Sequence, residues 1–241
     1  MYLAEPGEHR LSSVSESYAV FVLGGVIVDR AYVREGIDPA FQQFNLRFFG
    51  TEQVVLHTVD IRRNAGVFAA LGDVGFRREF FYQLNALIAS LDIQIVAAVV
   101  DKHRYRETHG DSAQDPYLHC MEALVDHFCM VLGESRDDGF ICAERRNVTL
   151  DRELTEAWEA LRTGDAVRGY ERARHVEERI VGFEIRGKHP TRAAMHLADL
   201  VVTPIGRHIA GRPDAENRVR WDVVEPKIRR INDVSGLILR P

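Results

Sequence analysis

Asp199 is the residue of clearest chemical interest, because it interrupts a stretch that is otherwise apolar around most of a helix. The surrounding residues Ala193–Val202 predict burial on nearly every side. A buried carboxylate without a partner is costly, so it needs a cation, a metal ion or a network of donors. Two interpretations are therefore open: a helix whose aspartate pairs with an arginine, and a carboxylate that belongs to a larger acidic site.

Further acidic and imidazole side chains lie in or directly after apolar runs that we predict to be strands. If these strands share one sheet, their ends can meet a carboxylate from a helix that crosses it. Each residue also has an ordinary explanation, such as a surface strand end, a neighbouring arginine or a hydrogen-bonded core histidine. The runs are Met1–Ala4, Val54–Ile61, Ile93–Asp101 and Gly139–Ala143, and the candidates are Glu5, His57, Asp60, Asp101 and Glu144.

A cluster of three or four carboxylates could hold a metal ion. Hard oxygen ligands favour magnesium or manganese. Two such ions, about 3.5–4 Å apart, activate a water and stabilise the leaving oxygen when a phosphodiester is hydrolysed. The metal-site hypothesis requires that these side chains lie close together in the fold, because each residue alone is weak evidence for a site.

Basic residues next to the acidic candidates predict contacts with phosphate. Arg145 and Arg146 follow Glu144, while Arg207 and His208 lie near the end of the Asp199 segment. The whole chain has a formal net charge of -5, which argues against a generally basic surface. Residues 186–230, however, carry ten lysines and arginines against five acidic residues. This excess indicates either a solvated basic face or a binding site for an anion.

The elements that must position these residues begin with strands and continue as alternating helices and strands. This order predicts one α/β domain over residues 1–241, with a mixed central sheet and helices on both faces. Pro204 lacks an amide proton and is expected to kink the Asp199 helix or to end its regular part near Thr203. Further predicted strands are Tyr18–Asp29 and Arg179–Arg186. The predicted helices are one after Pro39, Phe76–Leu91, Tyr117–Leu132 ending at Gly133, and Leu150–Leu161. His103–Tyr105 is predicted as loop, and Gly164–Arg174 as a mobile or partly helical excursion.

Cysteine usage and hydropathy favour a cytoplasmic protein. Cys120, Cys129 and Cys142 are odd in number and widely spaced, which argues against a disulfide framework or a zinc ribbon. The first residues show no signal-peptide pattern. The longest apolar runs are too short to span a bilayer, so no membrane partner is expected.

Several short motifs resemble a known family. They are the opening Tyr2–Gly7, the run Phe21–Val28 with its two glycines, Leu56–Ile61, Ala143–Arg146 and, most specifically, His196–Val201. With these motifs the chain resembles, over nearly its whole length, the bacterial family called domain of unknown function 3800 (DUF3800), regarded as RNase H-like. The resemblance implies an RNase H-like sheet and a metal-dependent phosphodiesterase site. It also suggests an association with phage defence or toxin activity.

One departure from the family concerns the first strand. The family opening usually reads Asp-Glu-Ser-Gly, whereas this chain has Ala4-Glu5-Pro6-Gly7. Alanine cannot be a metal ligand, so the expected aspartate is missing. Three explanations are open: Glu5 substitutes for it, the chain is a natural pseudoenzyme, or an inactivating Asp→Ala substitution was introduced at position 4.

The leading hypothesis is a magnesium- or manganese-dependent nuclease acting on DNA or RNA. Glu144 and Asp199 would be metal ligands, Glu5 a ligand or supporting group, and His57 with Asp60 would position water or phosphate. The first alternative is a non-catalytic module that binds nucleic acid or a partner protein, with a homodimer also open. The second is hydrolysis of a nucleotide or small phosphate ester. The predicted phosphate contacts are Arg145, Arg146, Arg207 and His208.

Overall fold

The computed structural model describes residues 1–5, 19–110, 116–163 and 176–240, and a six-stranded sheet forms its centre. Its strands are β1 (Tyr2–Ala4), β2 (Val20–Ile27), β3 (Gln94–Asp101), β4 (Gly139–Glu144), β5 (Ile180–Arg186) and β8 (Leu237–Arg240), while β6 (Arg230–Ile231) and β7 (Val234–Ser235) form a separate pair. The order across the sheet is β5-β4-β1-β2-β3-β8. Only β2 is antiparallel to its neighbours, so the sheet is mixed, as predicted.

Helices cover both faces of this sheet, which confirms the predicted α/β class. The longer ones are Asp38–Phe49, Val74–Ser90, Pro116–Ser135, Val148–Thr163 and Ala193–Ile209, the last of which we call the Asp199 helix. On one face the Asp199 helix packs together with Asp38–Phe49 and Val74–Ser90. On the other face lie Pro116–Ser135 and Val148–Thr163.

The two faces separate the side chains of β1. Successive residues of a strand point to opposite sides, and Leu3 accordingly belongs to the core under Pro116–Ser135. Ala4 belongs to the core under the Asp199 helix. The end of β1 thus places its last side chain, a methyl group, on the same side of the sheet as Asp199.

A row of small residues lets the Asp199 helix lie close to the sheet. Ala4 pairs with Gly24, and Gly24 pairs with Ala97 on the next strand. A Cβ at Gly24 would lie 2.6 Å from a methyl carbon of Val202, which is closer than atoms approach. The glycine therefore serves close approach of the helix rather than a bulge or turn.

Two predicted elements were wrong in type. Residues 53–57 have no regular structure and Thr58–Arg63 is a helix, where Val54–Ile61 was predicted as a strand. The Asn45 side chain donates to the carbonyls of Glu52 (3.2 Å) and Val54 (2.9 Å), so it takes acceptors that a neighbouring strand would need.

The predicted loop His103–Tyr105 was also wrong, because it lies in the helix Lys102–His109. Asp101 caps that helix by accepting from the amides of His103 and Arg104, at 3.0 and 3.2 Å. The capping geometry satisfies amides that have no partner inside the helix. Asp101 is thus a helix cap rather than part of an acidic site.

Of the two outcomes predicted at Pro204, an end of the regular helix near Thr203 was wrong. The helix continues through Pro204 to Ile209. Pro204 and Ile205 are buried, and most helical stability in proteins comes from such packing. The helix Pro116–Ser135 likewise continues past Gly133, where it was predicted to end. The strand β8 was not predicted. The predicted excursion Gly164–Arg174 lies outside the described residues.

Candidate functional site

The ends of β1 and β4 bring Ala4 and Glu144 to one side of the sheet. The strands are parallel, with Leu3 opposite Ala143, so the next residues, Ala4 and Glu144, lie side by side. Cys142, two residues before Glu144, has its Sγ 4.0 Å from the sulfur of Met195 in the Asp199 helix. Because side chains alternate, Glu144 faces that helix too.

Asp199 and Glu144 share one lysine. The Nζ atom of Lys188 lies 3.1 Å from Oδ2 of Asp199 and 3.0 Å from Oε2 of Glu144. Both are ion-pair contacts whose angles fall short of hydrogen-bond geometry. The side chains of Lys188 and Asp199 are only 9% and 11% exposed. The structure therefore brings the two predicted metal ligands together, with an ammonium group between them.

A hydrogen bond to Asp199 comes from the start of a helix. The amide of Thr58 donates to Oδ2 of Asp199 at 2.8 Å. The partner of Asp199 is thus a lysine and a backbone amide rather than the arginine considered from sequence. Nearby, Nδ1 of His57 lies 3.1 Å from Oδ2 of Asp60, and His57 and Thr58 both line the same cleft as Asp199.

Glu5 has partners of its own. Its Oε1 accepts from the guanidinium of Arg146 at 2.5 Å. Burial, followed by the charge and hydrogen bond of Glu5, raises the pKa of Tyr117 well above its usual value. Tyr117 belongs to the helix Pro116–Ser135, which covers the face opposite the Asp199 helix. The carboxylate of Glu5 is thus engaged by Arg146 and Tyr117, whereas the lysine joins Glu144 and Asp199.

The carboxylates line a cleft of about 940 Å³ whose other polar lining is strongly basic. Burial, and then the charges of Arg207, Arg62 and Arg212, lower the pKa of Arg218, which shows that these guanidinium groups lie near one another. Three acidic residues, Glu5, Glu144 and Asp199, line the same space. The seven arginines of this arginine cleft are Arg62, Arg77, Arg145, Arg146, Arg207, Arg212 and Arg218.

Most of the sequence candidates meet in the arginine cleft. Glu5, His57, Glu144, Arg145, Arg146, Asp199 and Arg207 all line it. His208 does not; its ring stacks on Trp221 with centroids 4.1 Å apart. Asp60 is not among the described residues that line the cleft, but its Oδ2 lies 3.1 Å from Nδ1 of His57, which does line it.

Sequence reasoning missed Lys188, Thr58, Arg62 and Arg77 as parts of the site. Lys188 belongs to the basic stretch 186–230, but the count of charges there did not single out one cation. Thr58 acts through its backbone amide, which carries no side-chain signal. Arg62 lies one residue beyond the predicted strand Val54–Ile61, and the helix Thr58–Arg63 places it at the cleft.

The described side chains do not match a resident metal ion well. Among the described residues, no group of three or more His, Cys, Asp or Glu side chains is arranged to hold one. Glu144 and Asp199 already share an ammonium, and Ala4 beside Glu144 supplies no ligand. A divalent ion between the two carboxylates would have to displace Lys188 from a position in which it is 9% exposed.

Comparison with protein-family models, curated proteins and solved structures found no match in any of the three. The similarity to DUF3800 thus stays a prediction that rests on the motifs quoted above. Cys120 and Cys142 are buried and Cys129 is partly buried, and none of the three forms a disulfide. In the part of the chain that the structure describes, no helix is long and apolar enough to cross a membrane.

Proposed function

We propose that the protein binds nucleic acid in the arginine cleft, chiefly through the phosphate backbone. The observation that carries this proposal is the set of seven arginines around one cleft. The planar guanidinium group makes paired hydrogen bonds to phosphate, and it keeps its charge at all working pH values. The acidic residues of the cleft are largely compensated, since Glu5 pairs with Arg146 and the other two share Lys188.

The spacing of the arginines favours a polymer over a single phosphate group. Arg145 and Arg146 adjoin Glu144, which Lys188 links to Asp199. Arg207 lies two helical turns beyond Asp199, about 12 Å along the helix axis. Phosphate contacts at both positions exceed the reach of one phosphate, but they suit successive phosphates of a chain.

The sheet supports an RNase H-like domain as the setting of this cleft. The first five strands lie in the order β5-β4-β1-β2-β3, with β2 the only antiparallel one. Glu144 is the last residue of β4, and Asp199 lies on the helix that crosses β1 and β2. This arrangement agrees with the class that the sequence motifs imply.

Binding is tested with labelled DNA and RNA oligonucleotides, single- and double-stranded, across a series of salt concentrations. We expect affinity to fall steeply with salt, because each phosphate contact releases counterions. Arg62→Gln and Arg145→Gln should each reduce the salt slope by about one. Arg152→Gln is the matched control, because Arg152 is exposed outside the cleft and pairs with Glu156. Absence of binding to all four substrates at low salt would refute the proposal.

A second candidate is a metal-dependent nuclease, which is favoured by the meeting of Glu144 and Asp199 in the same cleft. Magnesium or manganese would supply the Lewis acid for phosphodiester hydrolysis. Position 4 decides this candidate, because Ala4 lies beside Glu144 on the side of the Asp199 helix. We expect Ala4→Asp to gain metal-dependent cleavage of DNA or RNA, with Ala4→Asn as the matched control. No cleavage by Ala4→Asp with either metal would exclude this candidate.

A further inference from the structure

Lys188 occupies the place between Glu144 and Asp199 where a shared cation would have to be. Its Nζ atom is nearly equidistant from the two carboxylates, at 3.0 and 3.1 Å. The three side chains are 9%, 20% and 11% exposed, in the order Lys188, Glu144 and Asp199. A lysine this deeply placed is not a surface ion pair, whose contribution would be small.

The charge balance explains why a cation is needed there. Two neighbouring carboxylates in a partly buried site repel each other, and one ammonium group offsets most of that repulsion. The ammonium in turn needs both carboxylates, because a buried charge with too few partners is strongly destabilising. Alanine at position 4 keeps the count at two carboxylates, whereas an aspartate there would add a third beside Glu144.

The lysine and a divalent ion would exclude each other. Magnesium binds oxygen ligands at about 2.0–2.1 Å, so an ion shared by Glu144 and Asp199 would fall in the space of the ammonium group. No other basic side chain of the described residues contacts either carboxylate within ion-pair distance. Among the described residues, the ammonium of Lys188 is thus the cation supplied to this pair.

We propose that Lys188 is the built-in cation of the cleft: it stands in place of a divalent metal ion and holds Glu144 and Asp199 together without one. This inference deepens the proposed function, on which its relevance rests, because it makes nucleic-acid binding independent of divalent metal. The lysine is a positioning residue for the two carboxylates. Its removal should convert the pair into a site with measurable affinity for a divalent cation.

The test measures Mn²⁺ binding by electron paramagnetic resonance and thermal unfolding with and without millimolar Mn²⁺ or Mg²⁺. For the native protein we expect no saturable Mn²⁺ binding and no metal-dependent rise in melting temperature. Lys188→Met should lower the melting temperature, and metal should restore part of the loss. It should also bind Mn²⁺ saturably, at a concentration at least about tenfold below the highest at which the native protein shows no binding, since a neighbouring positive charge is gone.

Two controls separate this role from general destabilisation. Lys227→Met removes another partly buried ammonium, which donates to the carbonyls of Ala89 and Leu91, and should show no metal rescue. The double variant Lys188→Met/Glu144→Gln leaves a single carboxylate, so it should keep its fold and lose the gained Mn²⁺ binding. If Lys188→Met alone fails to fold, folding of the double variant Lys188→Met/Glu144→Gln tests whether the lysine offsets the repulsion between the two carboxylates.

Tight Mn²⁺ binding by the native protein, with stabilisation like that of Lys188→Met, would overturn the proposal. A folded Lys188→Met that binds no Mn²⁺ would overturn it as well. Neither readout uses nucleic acid, so failure here is distinguishable from failure of the proposed function. The latter would show as absent oligonucleotide binding, whatever the response to metal.

Discussion

The contact between Asp199 and Lys188 should contribute measurably to stability, and Asp199→Asn tests it. Asparagine has the same shape and can still accept from the amide of Thr58, which lies 2.8 Å from Oδ2. The substitution therefore removes the charge while it leaves the packing of the helix in place. Lys188 keeps Glu144 as its second partner, at 3.0 Å.

The magnitude follows from the distance and the burial. Two unit charges at the 3.1 Å of this ion pair attract each other by about 5 kcal/mol at an effective dielectric constant of about 20. Desolvation of both groups and the remaining contact with Glu144 offset part of this attraction. We therefore expect Asp199→Asn to lower the free energy of unfolding by about 2–3 kcal/mol.

The assay is urea unfolding of four proteins: the native protein, Asp199→Asn, Lys188→Met and the double variant Asp199→Asn/Lys188→Met. Together they form a thermodynamic double-mutant cycle. A coupling energy above about 1 kcal/mol is expected, because the two residues are in direct contact. Asp222→Asn is the control, since Asp222 forms an ion pair with Arg220 at 2.8 Å in which its side chain is 62% exposed. A loss for Asp199→Asn no larger than that of the control, or an additive cycle, would refute the reasoning.

Two further predictions concern the surroundings of Asp199. Burial outweighs a hydrogen bond to the carbonyl of His189 and lowers the pKa of His196 to about 4. Below pH 6.5, the usual pKa of histidine, His196 takes up a proton in the unfolded chain, whereas in the folded protein it stays neutral down to about pH 4. The free energy of unfolding should therefore fall from about pH 6.5 toward pH 4. Urea midpoints across this range should decline less for His196→Gln. Gly24→Ala should lower the free energy of unfolding by about 1–3 kcal/mol, because the added Cβ would lie 2.6 Å from a methyl carbon of Val202. Adding Val202→Ala should recover part of this loss in the same urea unfolding assay.

The sheet was largely predictable because its strands are long apolar runs with clear ends. Tyr18–Asp29 and Ile93–Asp101 contain β2 and β3, and Gly139–Ala143 misses β4 by one residue. Local composition sufficed there, since buried central strands need apolar side chains on both faces. β8 is short and half-buried, and its pairing with β3 depends on contacts that the sequence pattern does not show.

The segment around His57 was not predictable from local pattern. The alternation in Val54–Ile61 is typical of a strand, yet the side chain of Asn45, in the preceding helix, donates to the carbonyls of Glu52 and Val54. Such tertiary contacts override local preference. The same limit applied to Asp199: its burial was evident from the helix pattern, but the identity of its cation depended on where the residues after β5 fold.

The residue types of the site were predictable from the sequence, but the ion-pair partner of each acidic residue was not. Glu144, Asp199, Arg145 and Arg207 were expected together and do line one cleft. Glu5 lines the same cleft, but its carboxylate pairs with Arg146 rather than with the lysine that joins Glu144 and Asp199. The metal-dependent activity and the RNase H-like assignment stay predictions.

The position of β1 has a consequence for how the chain folds during synthesis. This strand precedes the other strands of the sheet in the chain, yet it lies between β2 and β4, and its partner β4 begins only at Gly139. Contacts that complete the cleft, such as Thr58 with Asp199, span 141 residues. Pairings this distant form late and slow folding. One edge of β1 is therefore exposed until most of the chain has been made, and the nascent protein should need protection there from pairing with other strands.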